Sequence, residues 1–129
     1  MKTGSGILLV ALLVAGCAVS EKSLVEKGAT PLSGAQIQQL NSPGAVANWR
    51  NQEGRSGTVA YLAEGKVEIK SGTFSDVGSL RYTENGVCSK YTTVRNGAET
   101  CFKMYKTGPN SYATVNQNGE VESTSVFKP

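Results

Sequence analysis

Gly57-Thr58-Val59-Ala60-Tyr61-Leu62-Ala63-Glu64-Gly65-Lys66-Val67-Glu68-Ile69-Lys70 carries the period of two that decides the class of this fold. Val59, Tyr61 and Ala63 recur at every second position, Val67 and Ile69 do the same, and Glu64-Gly65 stands between the two runs. Successive side chains of a strand point to opposite faces, so each run reads as a strand with one apolar side. The glycine pair between them reads as a turn.

Outward from this hairpin the pattern repeats. Leu80 and Tyr82 alternate in the same way, and turn pairs return at intervals of about ten residues, the rhythm of a meandering antiparallel sheet. Strands are expected at Ala45 to Gln52, Thr58 to Glu64, Lys66 to Ser71, Gly78 to Thr83, Val87 to Thr92, Thr100 to Lys106, Ser111 to Asn116 and Glu120 to Phe127. The turns between them are Glu53-Gly54, Glu64-Gly65, Asn85-Gly86, Gly108-Pro109-Asn110 and Asn118-Gly119, where Asn-Gly supplies the positive φ angles of a tight hairpin. The expected class is mainly β: an antiparallel meander of about seven to eight strands, curved sheet or small barrel, with one short N-terminal helix.

That helix is expected near residues 33–41. Ser33 followed three residues later by Gln36 forms a capping box, and Ile37 and Leu40 share one face. Asn41-Ser42-Pro43-Gly44 stops it, because proline disfavours helical geometry in the residue before it. A short helix with one apolar face is suited to plugging one end of a β structure.

The first residues serve another purpose. Met1 to Gly6 carries the free amine and Lys2 with no acid, Ile7 to Val14 is an uncharged apolar run, and Ala15 and Gly16 are small. Residues 1–16 read as a secretory signal, too short to stay in a bilayer as a permanent span. Val14-Ala15-Gly16-Cys17 resembles the lipobox of bacterial lipoproteins. The resemblance implies a diacylglyceryl group on the Cys17 sulfur, cleavage between Gly16 and Cys17, and acylation of the new amine. Two or more chains anchor stably where one binds only reversibly, so an acylated Cys17 ties the chain to the lipid bilayer. The alternative is an ordinary signal with a cysteine at its cleavage point, or an uncleaved helix. Lipoproteins retained at the inner membrane of enterobacteria usually carry Asp after the cysteine, and Ala18 therefore points to the outer membrane, facing the periplasm. Polar, small residues from Ala18 to Thr30 read as the rest of a flexible stalk over residues 17–30, which leaves residues 31–129 as the β domain.

With Cys17 given to lipid, Cys88 and Cys101 remain as an even pair in an oxidising compartment, where pairing is the default. Such a bond stabilises by about 3 kcal/mol in the chain-entropy model. Two free thiols, or half of a metal site, are the alternatives, although a zinc site here lacks ligands because the chain has no histidine and no further cysteine. A tight turn at Asn96-Gly97 would leave Cys101 opposite Thr92, about 13 Å along the strand from Cys88. Bridged Cα atoms lie within about 7 Å. Either residues 92–98 form a wide, irregular loop with Cys88 opposite Cys101, or the bond is absent; the wide loop is the expectation.

From Pro31 onward the chain resembles a family of small exported proteobacterial proteins of unassigned function. The resemblance rests on Leu32-Ser33-Gly34-Ala35-Gln36-Ile37, Gly57-Thr58-Val59-Ala60-Tyr61, Gly78, Glu84-Asn85-Gly86-Val87-Cys88, Cys101-Phe102-Lys103-Met104-Tyr105, Gly108 and Tyr112. Leu80 stands where that family often has a tryptophan two residues after the glycine. The resemblance implies a β fold with Cys88 and Cys101 paired, and no activity.

Chemistry is sparse. The absence of histidine removes the commonest general base and metal ligand, so the serines lack a histidine partner, and a Ser-Lys pair would need a motif such as Ser-x-x-Lys in a helical setting. Glu64 and Glu68 fall at solvated strand positions, Asp76 reads as a turn residue, and Gly54-Arg55-Ser56-Gly57 does not lead into the helix that a phosphate loop needs. The 13 Lys and Arg against 10 Asp and Glu are scattered, which argues against nucleic acid as a partner. No cofactor, metal or catalytic residue is expected. The aromatics are the remaining feature: Trp49, Tyr61, Tyr82 and Tyr105, with Tyr91 and Tyr112, are spread over several strands that a curved sheet gathers into a groove for an apolar or glycan ligand. Ordinary cross-strand packing is the alternative. The expected role is a non-enzymatic binding or interaction module in the cell envelope, contacting an envelope protein or the wall. The alternatives are a small barrel that carries or senses an apolar ligand, and an inhibitor of an exported hydrolase presenting residues 92–98.

Overall fold

The structure is a computed structural model and describes residues 19–129. Cys17 and the signal segment lie outside the described residues. Two short helices, α1 (Glu21–Glu26) and α2 (Gly34–Leu40), accompany nine strands: β1 (Thr30–Pro31), β2 (Val46–Asn51), β3 (Ser56–Tyr61), β4 (Lys66–Ser71), β5 (Phe74–Tyr82), β6 (Val87–Tyr91), β7 (Thr100–Lys106), β8 (Ser111–Val115) and β9 (Val121–Phe127). Neither helix is long and apolar enough to cross a membrane.

All pairings are antiparallel, and the sheet closes. Its order runs β7-β6-β5-β4-β3-β2-β9-β8, and β8 returns to β7, so β2 to β9 form a barrel. Closure leaves no long edge to template aggregation. Between β6 and β7 the pairing is the shortest in the ring: Val87 with Phe102, Cys88 with Cys101, and Ser89 with Thr100. The disulfide crosses that seam at its middle pair, with Cα atoms 3.9 Å apart. Beyond Phe102 the same edge of β7 is taken by β1, through Thr30 with Lys106 and Pro31 with Tyr105. Residues 92–99 form the wide connection that the facing cysteines require, as the sequence led us to expect.

The barrel has two apolar cores. Inside, Ala47, Val59, Val67, Val87, Met104 and Phe127 meet Ile37 of α2, which is fully buried, so α2 plugs one end. Phe127 stacks on Tyr61 with ring centroids 5.8 Å apart and takes Tyr112 edge-on at 5.4 Å. Outside, Leu24 of α1 packs on Tyr105, Ala113, Val115 and Val121, which are the outward residues of β7, β8 and β9.

Several expectations need correction. The flexible stalk fails over its described part: Ser20 and Ser23 form a capping box, α1 follows, Leu24 is buried, and Thr30 and Pro31 join the sheet. Leu24, with Ala29 beside it, supplies the apolar contact that a polar composition hid. β5 starts four residues earlier than Gly78, because Gly72 (φ +61) opens a two-residue hairpin in which Ser71 pairs with Phe74. Asp76 is therefore a strand residue and not a turn residue. Asn85-Gly86 has no positive φ. Gly86 is glycine because a Cβ there would collide with the carbonyl of Phe102.

Candidate functional site: the open end of the barrel

Opposite α2 the barrel is not filled. A cavity of about 660 Å³ occupies its upper interior. Its floor is made by Val59, Tyr61, Val67, Val87, Met104 and Asn41; one wall is apolar, with Trp49, Ile69, Leu80 and Phe102. The other wall, from β8 and β9, carries the hydroxyls of Thr114, Ser123 and Ser125. Arg55, Phe74, Val94, Arg95 and Glu122 form its mouth. This asymmetry follows from strand parity. The inward positions of β2 to β6 are largely apolar, whereas β9 turns Ser123 and Ser125 inward and leaves Thr124 and Val126 outside.

The loop over residues 92–99 is held at the mouth by a carboxylate. Asp76 Oδ2 accepts hydrogen bonds from the N–H of Thr93 at 2.8 Å, from the Thr93 hydroxyl at 2.9 Å and from the N–H of Val94 at 2.9 Å, while Oδ1 accepts from the N–H of Val77. Burial alone raises a carboxyl's pKa, but these bonds prevail and hold Asp76 down at about 2. Lys90 Nζ donates to the Gly97 carbonyl at 2.9 Å. Within the loop Arg95, Asn96 and Gly97 all take left-handed backbone angles (φ +55, +56 and +75), a strained run that only such anchoring sustains. The strain places Arg95 over the ring of Phe102, 4.9 Å from its centroid, and 3.6 Å from Glu122 across the mouth.

Of the aromatic candidates, the structure brings some together and not others. Trp49 and Tyr61 line the cavity, and the Trp49 Nε1–H donates to the Thr58 carbonyl at 3.1 Å. Tyr91 lines it as well. Burial, then the neighbouring phenols of Tyr91 and Tyr82, push the Tyr61 hydroxyl far above its ordinary range, so it stays neutral. Tyr82 packs beside the floor, where its hydroxyl accepts from Asn41 Nδ2 at 3.5 Å. Tyr112 belongs to the closed inner core. Tyr105 has to be withdrawn from the groove: Phe102 and Met104 face inward, so Tyr105 faces out under α1. There it donates to Glu21 Oε2 at 2.6 Å. That bond, with burial, pushes the Tyr105 hydroxyl up to about 12 and, together with Lys103, holds the Glu21 carboxyl low.

Sequence reading missed Asn41, Asp76, Phe102 and Arg95 as parts of this site. Phe102 and Asp76 carry a usable signal, since each shares parity with apolar residues of its strand. Asn41 and Arg95 carry none, because their positions depend on how α2 and the 92–99 loop dock. Glu99 lies within 4.8 Å of both Cys88 and Cys101 sulfurs, but those sulfurs are bonded to each other and offer no thiolate to a metal. No family model, curated protein or solved structure matches the chain.

Proposed function

We propose that this protein is a carrier or sensor, a non-enzymatic barrel that holds a small apolar molecule while acylated Cys17 keeps it at the bacterial envelope. The observation that carries the reading is the cavity of about 660 Å³, closed at one end by α2 and open at the other. Ligand pockets commonly span about 300–1,000 Å³ and combine an apolar lining with a few polar groups. The same reading orients the barrel. Val19 accepts a hydrogen bond from Val121 N–H, and Glu21 N–H donates to Gly119, at the connection between β8 and β9 on the mouth end. Cys17 precedes Val19 by two residues, a reach of about 7 Å at full extension. A lipid handle there turns the mouth, with exposed Phe74, toward the bilayer from which an apolar ligand would come.

Trp49, the single tryptophan, lines the cavity and supplies the test. An apolar fluorophore is expected to quench Trp49 by energy transfer, and native mass spectrometry is expected to find a small molecule on protein isolated without detergent. A barrel that arrives empty and leaves Trp49 unchanged at saturating fluorophore overturns the carrier. A second reading, an inhibitor of an exported hydrolase, draws on the anchored and exposed loop at residues 92–98. It requires inhibition of at least one lysozyme or protease in a panel, lost when Arg95 and Asn96 are replaced.

A further inference from the structure

The cavity floor holds a buried group without a partner. Asn41 ends α2, is 9% exposed and lines the cavity, and its Oδ1, which has almost no accessible surface, has no hydrogen-bond partner among the described residues. Leaving a buried acceptor unpaired costs about 1–3 kcal/mol, so such an atom calls for an explanation. α2 does not require the side chain there: the helix end is closed by the backbone, with Asn41 N–H donating to the Ile37 carbonyl at 2.9 Å. Among the described residues, Asn41 Nδ2 reaches only the Tyr82 hydroxyl, at 3.5 Å. Exchanging the amide oxygen and nitrogen moves the deficit from an unpaired acceptor to an unpaired donor without removing it.

Among the described residues, the floor is also free of charge. The arginines of the cavity, Arg55 and Arg95, are at the mouth, and Arg95 already faces Glu122. Tyr61 on the floor keeps its proton. An anion carried to this depth would meet no cation and lose its hydration, whereas a hydroxyl both donates and accepts and so answers the amide in either orientation.

We infer that the ligand is an apolar molecule bearing a neutral hydroxyl at its leading end, which enters the barrel first and hydrogen-bonds the Asn41 side chain on the floor, whose amide turns about its broad terminal torsion to meet it. The apolar remainder lies along Trp49, Ile69 and Phe102 toward the mouth. This rests on the carrier reading and narrows it to an alcohol or phenol, excluding a buried carboxylate.

The test displaces N-phenyl-1-naphthylamine from the whole protein in detergent-free buffer, using 1-decanol, decyl methyl ether and decanoate. These carry straight alkyl chains of nine or ten carbons and differ in the end group. The inference expects 1-decanol to displace the fluorophore at a concentration at least tenfold lower than the ether or the carboxylate. It further expects Asn41→Leu to bring the alcohol within about threefold of the ether, each displacement being read against the variant's own affinity for the fluorophore. Its melting temperature should be unchanged or raised, because an unpaired polar group is replaced by an apolar one of similar size. Equal displacement by alcohol and ether in the unaltered protein, or a better result with decanoate, overturns the inference and leaves the carrier reading standing. That comparison needs no variant to fold. A fluorophore that never binds overturns the carrier and this inference with it. An alcohol preference that survives in Asn41→Leu assigns the hydroxyl to another group and also overturns it.

Discussion

Asp76 Oδ2 takes three hydrogen bonds from two consecutive residues, Thr93 and Val94, and so converts a strand position into the anchor of a loop whose first bonded residue lies 17 positions later. Its folded pKa of about 2 lies below its ordinary 3.8, so the unfolded chain takes up the proton first as pH falls. The stabilisation is complete above the ordinary value and disappears as pH drops through the folded one. Asp76→Asn offers a single oxygen and must lose part of the anchor. Its melting temperature is expected to lie below that of the unaltered protein at pH 7, with the two converging between pH 4 and about 2; parallel curves across that window would refute the linkage. At this scale the sequence was partly readable. Asp76 stands two residues after Phe74 and four before Leu80, in step with the inward face, but the missed hairpin at Gly72 concealed that step. Tyr105 failed for the opposite reason, since Met104 fills the inward position beside it and aromatic character alone does not say which way a strand residue points.

The elements divide between those marked by local signals and those that exist through docking. The eight strands of the ring and α2 follow from alternation, turn residues and the Ser33 capping box, and their bounds agree with expectation to within a few residues except at the start of β5. α1 and β1 escaped because their stability comes from other parts of the chain. β1 is two residues long and has meaning only as the neighbour of Lys106 and Tyr105. α1 has six residues, too few to persist alone, and stands on Leu24 and the Glu21 bond to Tyr105. Leu24→Ala is expected to cost about 2 kcal/mol in urea unfolding, near the low end for such truncations because the outer core is shallow. A change below a few tenths would mean that α1 is not docked in solution. The β6–β7 seam depends on its covalent link in the same way. Replacing Cys88 and Cys101 together by alanine is expected to remove about 3 kcal/mol, and dithiothreitol should lower the unaltered protein to the same level.

At the scale of the whole molecule, closure of the sheet is what alternation could not announce. A curved sheet and a barrel share the same strands and turns, and the difference is made by one pairing, β2 with β9, which joins the first strand of the ring to the last. The cavity was hidden for a related reason. Its emptiness depends on serines and a threonine facing inward on β8 and β9, and their small volumes matter only once the ring has formed around them. The first described residues run down the outside of that ring, from Val19 at the mouth through α1 to β1 near α2. A bilayer pulling on Cys17 would therefore load a strap and not the ring. The contact of Val19 with Val121 would peel first and α1 would unravel next, freeing about 40 Å of contour over residues 19–29 at about 3.6 Å each, and the extension gained is that length less the span the folded strap already covers. Optical tweezers attached at residues 17 and 129 are expected to record that short, low-force extension as a separate step before the barrel ruptures. A mechanical fuse of this kind would let the tether be tugged while the contents of the barrel stay enclosed.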